Sequence, residues 1–211
     1  MEAITNEQYN FLQSRTQKLI NAYSTVNDQS VLHALKQLIE EEVKELVSVM
    51  SLETQQLFLT ITSVQDKITA DQYLSKVKPY VRPFIDVSED QLKKLFSKVK
   101  KFKGPALNQI PLREISYLSW EDQGTNKRYI VAPYENRIIG LQGSFSTKHQ
   151  KNICSICNKY ESVGLFSVES KGKVQGTYTI RGNYICSDYL TCNRNLTSLQ
   201  KLHDFLLPLL S

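Results

Sequence analysis

Through the first 80 residues, apolar side chains recur at three- and four-residue steps, the period of amphipathic helices. Thr5 is placed to cap a first helix that carries Tyr9, Leu12, Leu19, Ile20 and Tyr23 on one face, with Phe11 off that stripe. A polar break at Asn27-Asp28 precedes a second helix, predicted to bury Leu32, Leu35, Leu38, Ile39, Val43, Leu46 and Met50. Glu40, Glu41 and Glu45 occupy its other side. Ser51 starts a shorter third helix with Leu52, Leu57, Phe58 and Ile61. Thr69-Ala70-Asp71-Gln72 matches a capping box and predicts a fourth helix from Thr69 towards Val77. Pro79 and Pro83 end it. Four short amphipathic helices with brief connections predict a small four-helix bundle over residues 1–82.

The proline-bearing stretch Tyr80 to Asp86 favours extended chain and marks a domain boundary. Beyond it the pattern restarts. Ser88-Glu89-Asp90-Gln91 is a second capping box, followed by Leu92, Leu95, Phe96 and Val99 at helical spacing among six lysines. This predicts a basic amphipathic helix that continues to Gly104-Pro105. The period then shortens towards that of strands. Ile115, Tyr117 and the region of Trp120, then Tyr129–Ala132, then Ile138–Leu141 are separated by the turn-type stretches Asp122–Asn126 and Glu135-Asn136. They predict an antiparallel meander of about three strands. The expected class is α+β in two domains: a helical bundle over 1–82 and an α/β domain over 83–211.

Charge separates the same two parts. Residues 1–82 hold 8 Lys/Arg and 10 Asp/Glu, whereas residues 83–211 hold 18 and 11. The second part therefore favours an acidic partner, either nucleic acid or an acidic protein face. The N-terminus has neither the basic region nor the apolar run of a secretory signal, and no apolar stretch approaches the roughly 20 residues of a membrane helix. The expectation is a cytoplasmic chain with no membrane role. Without a long heptad repeat, a monomer is expected.

In a reducing compartment cysteines favour metal over disulfides. Cys154 and Cys157 have knuckle spacing, since two intervening residues let a tight turn aim both sulfurs at one ion. Cys186 and Cys192 follow, five residues apart. Between the pairs, Val163–Phe166 and Gly176–Ile180 read as a β-hairpin, and after Cys192 a helix carries Leu199, Leu202, Phe205 and Leu206. Knuckle, hairpin, then ligands leading into a helix is the order of a treble-clef zinc finger. His149, five residues before Cys154, is an alternative ligand. Four protein ligands close the coordination sphere, so the expected Zn2+ is structural, one ion, and not a generator of nucleophilic water. There is no glycine-rich phosphate loop, and the three histidines, at 33, 149 and 203, fall in no catalytic motif. An enzyme is not expected.

The segments Ile153–Asn158, Gly182–Asp188 and Cys192-Asn193 resemble the zinc knuckle of the FusB-type fusidic acid resistance proteins. Leu92–Lys101, Ile115–Trp120 and Asn126–Val131 are also similar to that family. The resemblance implies a non-enzymatic protein that binds translation elongation factor G through its zinc-finger domain. It implies release of the factor from ribosomes on which fusidic acid has trapped it, and hence resistance by target protection. Carried over motif by motif, it implies partner contacts at Ile153, Arg181, Tyr184 and Phe205, with Ile where an aromatic is common and Arg where Lys is usual. Core packing is the competing role for Phe205. The competing function is a basic zinc-finger module that binds ribosomal or other RNA, and a weak RNA contact beside the protein partner is compatible with both.

Overall fold

The computed structural model describes residues 2–210 except 86, 123, 136, 173 and 175, and gives no side-chain placement at 148 or 149. Asp86 of the boundary stretch, Gln123 and Asn136 of the turns, and the side chain of the alternative ligand His149 thus lie outside the described residues. The chain forms two compact units, Met1–Arg82 and Pro83–Ser211. Among the described residues no helix is long and apolar enough to cross a membrane.

The first unit contains α1 (Asn6–Thr25), α2 (Gln29–Leu46), α3 (Leu52–Leu59) and α4 (Lys67–Val77). Each start has a chemical cause. Thr5 N–H donates to Gln8 Oε1 at 2.8 Å before α1, Asp28 accepts from Ser30 N–H before α2, and Ser51 Oγ accepts from Thr54 N–H before α3. These contacts satisfy backbone donors that a helix leaves open at its first turn. The fourth start differs from expectation. Asp66, not Thr69, is the cap: its carboxylate accepts from Thr69 N–H at 2.8 Å, and Thr69 Oγ1 accepts from Asp66 N–H in return. Thr69 is therefore the third helical residue of a box that begins three positions earlier than predicted.

Leu12, Leu19, Ile39, Val43, Phe58, Ile61 and Val77 form the bundle core, each with no exposed surface. Two predicted core residues are exposed instead: Leu38 is 48 % exposed and Leu52 76 %. Leu38 falls one residue beside the stripe set by Leu32, Ile39 and Val43, and Leu52 sits at the unpacked first turn of α3. Phe11 packs at the edge of the cluster with the Arg15 guanidinium 4.3 Å from its ring centre. The ends of the unit are joined. Ile4 N–H donates to Tyr80 O and Arg82 N–H to Ile4 O, both at 2.9 Å, which closes a parallel bridge between Ile4 and Val81.

The second unit opens with α5 (Glu89–Leu95), whose Ser88–Gln91 capping box is formed as expected. The helix stops at Leu95 and does not reach Gly104. Phe96 leaves helical geometry, and Phe102 folds back to stack on it with ring centres 5.5 Å apart. Both rings pack edge-on against Tyr129, and Trp120 lies flat on Tyr129 at 4.9 Å. Trp120 Nε1–H donates to Lys103 O. A continued helix would forgo this aromatic packing and set lysines such as Lys94 and Lys98 one turn apart, where like charges repel.

The meander and the hairpin are one antiparallel sheet in the order β1 (Leu118–Asp122), β2 (Lys127–Tyr134), β3 (Arg137–Ile153), β4 (Tyr160–Lys171), β5 (Tyr178–Cys186). Strand β2 is buried on both faces from Arg128 to Ala132. Its Tyr129 and Val131 join a cluster with Phe96, Leu92 and Ile115, while Ile130 and Ala132 join a cluster with the cysteines and the last helix. Two further helices, α6 (Tyr189–Asn195) and α7 (Leu199–Leu210), complete that second layer. The sheet thus has a layer on each side, with different chemistry in each.

Phe58 tests the bundle. It is fully buried and its carbonyl accepts from Tyr73 Oη–H at 3.1 Å. Phe58→Ala should destabilise the first unit by about 3–5 kcal/mol, whereas Leu38→Ala should stay within about 0.5 kcal/mol. Denaturant titration of the full chain by circular dichroism measures both.

Candidate metal centre

Three elements deliver the cysteines. Cys154 follows the end of β3, Cys157 lies in the turn after it, Cys186 is the last residue of β5, and Cys192 lies in the first turn of α6. The knuckle is held open by its backbone: Asn158 N–H donates to Cys154 O, Cys154 N–H to Lys159 O, and Asn158 takes a positive φ of 56°. Asn tolerates that left-handed geometry better than most residues. Ser155 N–H donates to Tyr184 O and ties the knuckle to β5. The wide second pair has a local explanation. Asp188 accepts from Leu190 N–H and Thr191 N–H to start α6, so one helical turn carries Cys192 back over Cys186.

All four sulfurs are buried and lie within 4.8 Å of one another. Cys154 to Cys192 and Cys157 to Cys186 each measure 3.7 Å between sulfurs, and all four thiols are free of disulfides. A tetrahedron with metal–sulfur bonds of about 2.3 Å has edges of about 3.8 Å. The donor set and its spacing therefore fit one zinc ion. Electrostatics point the same way. Hydrogen bonds from Cys157, Cys186 and Cys192 pull the Cys154 thiol well below the ordinary range. The reverse contacts with Cys154, Cys157 and Cys186 push Cys192 well above it. Four thiols this close cannot all ionise beside one another, and a divalent cation at their centre removes that conflict.

A second layer holds the cysteines in place. Cys154 Sγ accepts from Ile156 N–H at 3.4 Å and from Cys186 N–H at 3.3 Å. Tyr117 is buried and hydrogen-bonds to Cys192; burial first, and then the charge of Cys192, hold its phenol well above the ordinary value, so it stays a donor. Asn193 has no exposed surface: its carbonyl oxygen accepts from Ser116 N–H and Tyr117 N–H, and its amide donates to Tyr117 O and Tyr189 O. Arg128 projects from β2 and donates to Cys186 O at 2.7 Å and Ser187 O at 2.6 Å. It also pairs with Glu121, and its guanidinium lies 3.4 Å from the Phe145 ring centre. Phe145 can lie there because Gly164 has no side chain: a Cβ at 164 would fall 2.3 Å from that ring. Arg128 and Asn193 went unnoticed as support residues in the sequence. An arginine immediately before Tyr129–Ala132 looks like a charge at the end of a strand, and its burial follows only from the two-sided sheet.

Similarity to known proteins agrees with the geometry. Residues 3–85 match the family model described as "Elongation factor G-binding protein, N-terminal", and residues 93–205 match "FBP C-terminal treble-clef zinc-finger". The chain belongs to the FusB-type family of elongation factor G-binding proteins. A solved structure described as "the fusidic acid resistance protein FusC" superposes with a TM-score of 0.88 at 32% identity, covering 99% of this chain and 98% of that one. No curated protein matches the chain by sequence. As a FusB-type protein it carries a treble-clef finger with one structural zinc ion.

The four expected partner positions fall in different settings. Ile153, the last residue of β3, is 60 % exposed and pairs with Tyr160, itself 68 % exposed. Tyr184 is half-buried beside the knuckle. Arg181 is exposed, but Nη1–H donates to Pro208 O at 3.0 Å, so it closes the C-terminal end of α7. Strand alternation sets Arg181 and Tyr184 on opposite faces of β5. Phe205 is 8 % exposed and packs on Phe166 with ring centres 6.0 Å apart. Tyr160, Tyr178 and Ile180 are exposed aromatic or aliphatic residues around this region that the motif comparison did not single out.

Arg128 gives the sharpest test of the support layer. Arg128→Met should lower zinc affinity about 10- to 100-fold, measured by competition with a chromophoric chelator. Arg128→Lys should recover only part of it, because an ammonium cannot reproduce the planar fork. Unchanged affinity in both variants would show that the ligands hold themselves.

Proposed function

We propose that this protein binds elongation factor G through the zinc-finger unit and promotes its release from ribosomes stalled by fusidic acid, so that translation resumes without modification of the drug. In this reading Cys154, Cys157, Cys186 and Cys192 are the four ligands of the structural zinc. The ion acts by fixing backbone, and the chain works in the cytoplasm by binding, one copy to one factor, with no catalysed reaction. The observation that carries the reading is the exposed Ile153–Tyr160 pair at the foot of a metal-held knuckle. Apolar and aromatic side chains presented on a rigid backbone are what a protein interface uses as anchors, because little freedom remains to be lost on binding. Tyr184 adds its half-exposed ring. Arg181 contributes its charge at the rim. Phe205 acts mainly from beneath, by supporting Phe166 and the end of the sheet.

Release then follows from differential affinity. If the protein prefers a form of the factor that the ribosome holds poorly, a coupling of about 1–3 kcal/mol speeds departure by about 5- to 150-fold.

Calorimetric titration of the zinc-loaded protein into ribosome-free elongation factor G should give saturable one-to-one binding. Tyr184→Ala and Ile153→Ser should each weaken it by about 1–2 kcal/mol, roughly 5- to 30-fold, with zinc content unchanged. Phe205→Ala should weaken it only as far as it lowers thermal stability. Absence of heat with zinc present sets the reading aside. A stalled factor that leaves the ribosome no faster in the presence of the protein overturns the release step alone.

A further inference from the structure

The positive charge of the second unit is local. Residues 91–113 hold seven Lys/Arg and no Asp or Glu, while the rest of 83–211 holds eleven of each sign. The whole excess of the unit therefore comes from this one stretch. Within it, Lys94, Lys98, Lys100, Lys101 and Lys103 are all exposed. Lys93 pairs with Glu89 and Asp90, whereas among the described residues these five exposed lysines form no ion pair.

The loop that carries these lysines is ordered from within. Phe96 and Phe102 bracket Lys98, Lys100 and Lys101, and both rings are packed into the aromatic cluster with Trp120 and Tyr129. Trp120 Nε1–H holds the Lys103 carbonyl at 3.0 Å. With the aromatics turned inward, the lysines point to solvent on a backbone that needs little further ordering. Like charges held in this way repel one another, and a polyanion relieves that repulsion.

We propose that residues 94–103 form a contact for a nucleic-acid phosphate backbone, with RNA as its source. An acidic protein face is the weaker match. Among the described residues no large hydrophobic side chain is strongly exposed between Ile85 and Ile153, so the patch lacks the apolar anchor that a protein interface needs. Lysines act as point charges and read no base pattern, so binding is insensitive to sequence and steep in salt. The choice of RNA over DNA rests on the proposed function, since elongation factor G works on the ribosome. The contact itself lies on the Tyr129–Val131 side of the sheet, whereas the cysteines lie on the Ile130–Ala132 side. Both sites can therefore be occupied together.

Fluorescence polarisation of a labelled 15-nucleotide oligouridylate, titrated with the zinc-loaded full chain, tests this. Five phosphate contacts give a slope of log affinity against log salt of about −3.5 for a single strand, or a loss of about 100-fold between 50 and 200 mM salt. Replacing four exposed lysines (Lys98→Gln, Lys100→Gln, Lys101→Gln, Lys103→Gln) should make the slope shallower by about 3, with factor binding and zinc content unchanged. If that variant folds poorly, each single substitution should reduce the slope by about 0.7. Retained affinity and slope overturn the proposal. Equal competition by poly-glutamate also overturns it, in favour of an acidic protein. Tighter binding of oligothymidylate than of oligouridylate overturns RNA as the source, whereas loss of factor binding with RNA binding kept would overturn only the proposed function.

Discussion

The second unit depends on the convergence of four thiols within 4.8 Å. Left to themselves, buried thiols at that spacing oppose one another's ionisation; with a divalent ion at the centre they become its ligands. That one constraint joins elements distant in sequence: the end of β3, the end of β5 and the first turn of α6. Zinc binding is thereby part of the folding free energy of this region. Strand β5 is the last strand of the sheet and, among the described residues, pairs along its length with β4, so the metal at Cys186 adds a tie that a second flanking strand would otherwise supply.

The metal is not the whole fixture. Arg128 joins the centre of the sheet to the carbonyls on either side of the Cys186–Ser187 bond, and Asn193 joins the residue after Cys192 to the chain entering β1. Each is a buried polar side chain that makes several hydrogen bonds to backbone, and Arg128 pairs with Glu121 as well, the arrangement in which a buried hydrogen bond costs most to remove. The position of Arg128 depends on Phe145, and that of Phe145 on the missing side chain at Gly164. A glycine two strands from β2 thus helps set the geometry of the third cysteine, which a ligand-only description would omit.

Much of this was legible in the residues, and the misses have physical causes. Caps at Thr5, Ser51 and Ser88 were readable because capping is local chemistry. The cysteine cluster was readable because ligand type and spacing carry the chemistry of the ion. Thr69 was misread because threonine serves equally as the cap and as the third residue of another cap's box, and only the backbone at Asp66 separates the two. The basic helix was overextended because its period continues through Val99, while the force that ends it, the stacking of Phe102 on Phe96, is tertiary. The packing of Arg181 and Phe205 was out of reach for the same reason, while their expected partner contacts are a separate matter. A motif places them near the metal, but the closing of α7 by Arg181 and the burial of Phe205 against Phe166 appear only once α7 has a position.

The two-sided sheet makes a combined role physically reasonable. A single-faced sheet would force a protein surface and a polyanion surface to share one layer, where apolar anchors would be diluted by charge. Here the alternation of β2 sends Ile130 and Ala132 to the metal layer and Tyr129 and Val131 to the aromatic layer beneath the lysines. The lysine charge is thus held one layer away from the knuckle. If both surfaces engage one ribosomal complex, the second contact forms at an effective concentration set by a rigid unit instead of a flexible linker. A weak, salt-sensitive phosphate contact then raises occupancy near RNA without adding to affinity for the isolated factor. Under the proposed function that division has a use: the charge-driven contact would be lost when the RNA is lost, and the apolar contact beside the metal would be kept.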